Sequence, residues 1–284
     1  FSIEEIHNAL GIMYSQTCGN MQSHVEGVPI LGLQVGFNAK AALASMDLTQ
    51  AGFPGPKRVF NGEHGYFKLI ENDDYDISYL QENIGKFWMV NQLAHKPFPS
   101  GRLTHGLVHA IKDLKLKHGL NKDDIESIEC FVPPGVYKLV ARPIIDNLTT
   151  NYSKLCAKFV GASFMINDHL NIETFTEKKY LNNKDTLNFA KKITMIKNDK
   201  LDQKVLTPQK FVITLVNDGK IEINLDHVYG HPKAPLSKKE YLEKFSNCCF
   251  SSTKKIDKNQ VNGMIDFIFD LENKENVIDF FKII

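Results

Sequence analysis

The spacing of apolar residues changes character twice along this chain, and this constrains its fold more than any other feature. Ser2-Ile-Glu-Glu5 is a capping box, and Ile3, Ile6, Leu10 and Met13 follow at helical spacing, which predicts a helix to about Met21. A Gly/Pro/Val stretch over residues 27–36 reads as a loop. Next comes a helix rich in small residues (Ala39, Ala41, Ala42, Ala44, Ser45), suited to close packing and stopped by Gly52 and Pro54. Residues 64–71 read as a short helix. The pattern then changes. Residues 86–90 predict a strand with Phe87, Trp88 and Met89 in the core, residues 104–118 a helix, and residues 154–166 another helix. Residues 125–132 alternate as a strand ended by Pro133-Pro134. Residues 210–216 and 220–228 flank Asp218-Gly219, a two-residue hairpin signal. After Pro235 helices return, with a second capping box at Ser237-Lys-Lys-Glu240 and helical patterns from Asn259 and from Glu275. The expected fold class is α+β: a split all-helical domain with an inserted smaller α+β lid domain. Residues 1–92 form the first helical part, 93–232 the lid, and 233–284 the helical return.

Charge removes several function classes. Lys and Arg number 34 and Asp and Glu 33 among 284 residues, a net charge of +1. Such a chain has no global field for nucleic acid or an anionic membrane, so any anion must be held by a local cluster of cations. No apolar run approaches the roughly 18 residues of a membrane span. The five cysteines (Cys18, Cys130, Cys156, Cys248, Cys249) are odd in number and include no C-x-x-C. They read as reduced core thiols in an intracellular protein, cytoplasmic or, in a eukaryote, of the mitochondrial matrix. The signatures of serine hydrolases, P-loop NTPases and Rossmann dehydrogenases are missing.

The densest polar cluster is His95-Lys-Pro-Phe-Pro-Ser-Gly-Arg-Leu-Thr-His105, at the start of a predicted helix. Two prolines stiffen the backbone, Gly101 lets it turn, and Lys96, Arg102 and His105 gather where free N–H groups favour anions. Arg offers a flat fork to a carboxylate, Lys a point charge, and His a proton near neutral pH. The stretch therefore reads as a carboxylate site with an acid/base group; the plainer alternative is a solvated loop with a helix cap. His105 and His109 are spaced as a metal pair but lack an H-E-x-x-H pattern and a third ligand, so no metal is expected. His231 and Lys233, in the loop from Gly230 to Ser237, and His24 and Glu26, in the first loop, are further candidates for a site at the domain junction.

Several stretches together resemble the MmgE/PrpD family, which includes 2-methylcitrate dehydratases and cis-aconitate decarboxylases. They are residues 9–12 with Ser15-Gln16, Leu33-Gln-Val-Gly-Phe-Asn-Ala-Lys40, Ala51-Gly-Phe-Pro-Gly-Pro56, Gly65-Tyr-Phe67, residues 96–105, and Gly230-His-Pro-Lys-Ala-Pro-Leu-Ser237, in family order. The resemblance implies a homodimeric, metal-independent lyase without cofactor that removes a proton next to a carboxylate of a small di- or tricarboxylate. Dehydration of a 2-methylcitrate-like hydroxy acid is the expected reaction, with dicarboxylate epimerisation or a non-catalytic binding module as alternatives. It implies Lys96 and His105 as catalytic residues and Arg102, Ser100, Gln34, His231 and Lys233 as substrate-binding residues. Leu31, Gly101 and Phe159 stand where many members, or the decarboxylase type, carry lysine, histidine and tyrosine, which argues against cis-aconitate decarboxylation. It further implies a helical segment ahead of Phe1, supplied in family members by the same chain and here expected as a possible separate partner, so that the first helical part is incomplete.

Overall fold

The structure, a computed structural model, describes residues 1–26 and 28–284; the side chains of His24, Val25 and Leu80 also lie outside the described residues, so the His24 expectation has no outcome. The chain forms two compact units, residues 1–90 and 91–284.

The first unit is helical. Ser2 caps the helix Ile3–Tyr14 through the predicted capping box. This helix stops at Tyr14, short of Met21, where the backbone turns through Ser15–Thr17. It lies against the long helix Leu31–Gln50, with Gln16 Nε2 donating to the buried Ser45 Oγ at 2.9 Å. That long helix starts inside the stretch expected to be a loop, so Gly32 and Gly36 are helical; both face open space. Two glycines have a packing reason instead. A Cβ on Gly11 would lie 2.4 Å from Pro56 O, and one on Gly55 would lie 2.1 Å from Asn8 O. The resembling stretches 9–12 and 51–56 thus interlock, and Asn8 Oδ1 accepts from Gly55 N at 3.2 Å and Lys57 Nζ at 2.6 Å. The short helix Tyr66–Leu69 falls within residues 64–71. The strand expected over 86–90 does not form: Met89–Gln92 is a 3₁₀ turn, and Phe87, Trp88 and Met89 are exposed rather than core. A strand needs a hydrogen-bonded neighbour, and the described residues of this unit contain none.

The second unit is built on a four-stranded sheet in the order β2-β1-β3-β4. β1 (Ile125–Val132) pairs parallel with β2 (Ile193–Lys197) and antiparallel with β3 (Gln209–Leu215), which pairs antiparallel with β4 (Lys220–Leu225). β1 has the predicted bounds. The β3–β4 hairpin is also present, with Asp218 in the left-handed region at φ 62°, but its loop runs through Val216–Gly219 and is closed by Leu215 N–H donating to Gly219 O at 2.8 Å. The sheet packs against the helices His105–His118, Ala157–Asn167 and Lys184–Lys191. Leu107, Ile111, Leu114, Ile128, Phe159, Phe175, Ile193 and Phe211 form the centre of the core. Two helices meet at Gly161, where a Cβ would fall 2.6 Å from Leu107 Cδ2. Gly119, at φ 65°, ends the His105–His118 helix in the left-handed cap that glycine adopts without steric cost. The second capping box also forms, starting the helix Lys238–Phe250. Lys258–Phe269 is helical as well, whereas the pattern from Glu275 gives a 3₁₀ segment, Val277–Lys282. Cys130 and Cys156 are core thiols as expected, while Cys18 and Cys248 are exposed.

Candidate active site

The two polar loops singled out in the sequence meet within the second unit. His95 N–H donates to Gly230 O at 2.8 Å, and the Arg102 guanidinium donates to Val228 O at 3.2 Å. Gly230 makes this junction possible: its φ is +89°, and a Cβ there would sit 2.1 Å from His95 O. The other side of the first loop is anchored by Gly101 N–H donating to Lys154 O at 2.8 Å.

Inside the loop, Ser100 Oγ lies 2.9 Å from Thr104 Oγ1 and 3.1 Å from His105 Nε2. His105 is 0% exposed, with its ring edge-on to Phe98 and its Nδ1 without a partner. Burial, then the nearby Arg102 and Lys96 charges, pushes its pKa down to about 3. This imidazole is neutral at physiological pH and touches protein on every side. His109 accepts from Tyr229 N–H at its Nδ1 (3.2 Å), and burial also lowers its pKa. Among the described residues no three His, Cys, Asp or Glu side chains gather as a metal cluster.

Lys96 is exposed and lines a cavity of about 220 Å³ together with Phe98, Asn171, Lys244, Asn247 and Cys248. Lys244, Asn171 and Asn247 were not among the residues expected from the sequence. Lys244, Asn247 and Cys248 share one helix face by their spacing, but nothing in the sequence says that this face meets Lys96. The helix is held by Lys112 Nζ, 2.8 Å from Glu240 Oε1, and by the Tyr241 hydroxyl, 3.0 Å from His95 Nδ1. Burial opposes the Glu240 charge, yet the bonds from Lys112 and Ser237 outweigh it and hold that carboxyl at about 2.

The remaining sequence candidates lie elsewhere. Arg102 and His231 line a different cavity of about 340 Å³ with His227, Thr207 and Gln209, which shares no residue with the Lys96 cavity. Lys233 is exposed beside His231, its N–H donating to His231 Nδ1 at 3.0 Å. Gln34 belongs to the first unit, where its Nε2 donates to Asn20 O at 3.1 Å.

Residues 98–265 match the family model of the MmgE/PrpD C-terminal domain, and residues 1–78 match that of the MmgE/PrpD N-terminal domain. The chain belongs to the MmgE/PrpD family. Its likeness therefore extends over both family domains rather than the C-terminal portion alone. The cis-aconitate decarboxylase of Aspergillus terreus is 21% identical over 299 residues, covering 96% of this chain and 58% of the relative. That of Homo sapiens is 23% identical over 253 residues, covering 86% of this chain and 50% of the relative. A mouse cis-aconitate decarboxylase, also 23% identical, is covered to the same extents, 86% and 50%. The chain thus spans between half and three-fifths of the length of these MmgE/PrpD relatives. No helix among the described residues is long and apolar enough to cross a membrane.

Proposed function

We propose that this MmgE/PrpD chain carries part of the site of a metal-independent lyase acting on a small di- or tricarboxylate, with dehydration of a 2-methylcitrate-like hydroxy acid as its reaction. The observation that carries this reading is the pairing of Lys96 with Lys244 around one cavity that also presents the amides of Asn171 and Asn247. Removing a proton alpha to a carboxylate places negative charge on that carboxylate, and ammonium groups already in position stabilise it. The electron pair from the broken C–H bond then forms the double bond as hydroxide leaves the neighbouring carbon, taking up a proton to depart as water. Lys96 holds the carboxylate that gains charge. His105, enclosed and neutral, acts through Ser100, fixing the loop that carries Lys96.

The relatives named as decarboxylases support the lyase class. Two positions favour dehydration within it. A Cβ on Gly101 would fall 2.8 Å from Leu155 Cδ2, leaving no room for the histidine of decarboxylase-type members. Phe159 is 0% exposed and packs edge-on to Phe175, where a tyrosine hydroxyl would be buried. The test is to offer purified protein 2-methylcitrate and cis-aconitate separately. Ultraviolet absorbance of a new conjugated double bond from the first is the expected result; carbon dioxide from the second alone would replace dehydration by decarboxylation. Lys96→Ala should lower turnover by at least about 100-fold, the scale of a lost catalytic group; unchanged turnover would remove Lys96 from the site.

A further inference from the structure

Away from the Lys96 cavity, the second unit gathers positive charge with nothing to balance it. Arg102 makes one hydrogen bond, to Val228 O, while its Nε and Nη1 are buried without a partner. Leaving donors of a charged group unsatisfied out of water is costly, so such an arrangement is stabilised by an anion. Beside it, the rings of His227 and His231 stack face to face, 4.6 Å apart and 6° from parallel. Thr207 and Gln209 complete the polar wall, and Val205 and Leu206 the apolar one. No Asp or Glu lines this cavity; the charged and titratable groups around it are Arg102, His227, His231 and Lys233, and Asp226, next to His227 in sequence, is exposed and off the wall. A volume of about 340 Å³ admits a molecule of several carbons.

We propose that this cavity binds a small polycarboxylate, with the free Arg102 N–H groups and the stacked His227–His231 pair as its ligands and His227 as a residue of recognition that the sequence motifs do not mark. The proposal deepens the function given above, since it rests on the same class of substrate, but it does not depend on Lys96. The carboxylate could belong to a reacting substrate that reaches both cavities or to a second, unreacting molecule; the chemistry of recognition is the same.

The test is calorimetric titration of the purified protein with tricarballylate, an unreactive tricarboxylate. Folding of each variant is checked by circular dichroism. His227→Ala and His231→Ala together should weaken binding by at least about tenfold. His227→Glu, which places a carboxylate in the wall, should weaken it at least as much. Wild-type affinity should rise as pH falls from about 8 to about 6, because protonated imidazole attracts the anion. Binding retained in Lys96→Ala, with turnover lost, assigns the anion to a separate molecule in this cavity; binding weakened by both Lys96→Ala and the histidine variants assigns it to one substrate spanning both. Unchanged affinity in both histidine variants overturns the proposal, whatever happens to turnover. If the double variant misfolds, His227→Glu alone decides.

Discussion

At the scale of single residues, His105 shows how burial reassigns a side chain that sequence reasoning marks as an acid/base group. Its folded-state pKa of about 3 lies below the ordinary 6.5. The unfolded chain therefore takes up a proton here as pH falls below about 6.5, and the folded protein does not, so stability is present above that value and is lost toward pH 3. The loss approaches about 1.4 kcal/mol per pH unit at its steepest. His105→Gln should flatten the dependence of the urea midpoint on pH between about 6.5 and 4; a slope equal to wild type would mean that another group controls acid unfolding. Gly101 belongs to the same scale. Gly101→His should destabilise the second unit by about 1–3 kcal/mol, the usual cost of overpacking, as read from urea unfolding, because Leu155 and the Lys154 carbonyl close the space.

At the scale of elements, the site depends on two loops joined by backbone. Gly230 is the point where this contact is tightest. Gly230→Ala meets both a carbonyl at 2.1 Å and a positive φ, and should cost at least about 2 kcal/mol in urea unfolding. It should also lower Lys96-dependent turnover, since His95 adjoins Lys96. Both loops were legible as polar punctuation between periodic segments, and their cap signals were read correctly at Ser2 and Ser237. The misread elements share a cause. Residues 86–90 are apolar and β-prone, but a strand exists only through its partner. β2, with only five residues, was missed because so short an apolar run does not separate strand from helix by periodicity.

At the scale of the whole molecule, the principal core is confined to the second unit: its buried cluster runs from Leu107 to Leu225 and takes no residue from 1–90. A fragment of residues 91–284 should therefore fold cooperatively and keep the sheet, which circular dichroism and urea unfolding would show; a non-cooperative transition would mean that the core is not self-sufficient. The first unit instead leaves Ile3 87%, Val35 68% and Ile84 77% exposed.

The sequence by itself determined the mixed α+β character, β1, the β3–β4 hairpin, both capping boxes and the cationic loop, because each is written in local spacing and turn chemistry. It also carried the MmgE/PrpD resemblance, through strings of residues in fixed order. Only the tertiary structure decided which cations share a cavity. Lys96 faces Lys244, 148 positions away in the chain count of 284, while Arg102, six residues from Lys96, turns to His227 and His231. Neighbours in sequence point to different cavities because a 3₁₀ turn, Arg102–Thr104, and a buried histidine lie between them. Distant residues meet because helix ends and strand ends are brought together by burying one apolar core, and no local pattern records which faces that burial will oppose.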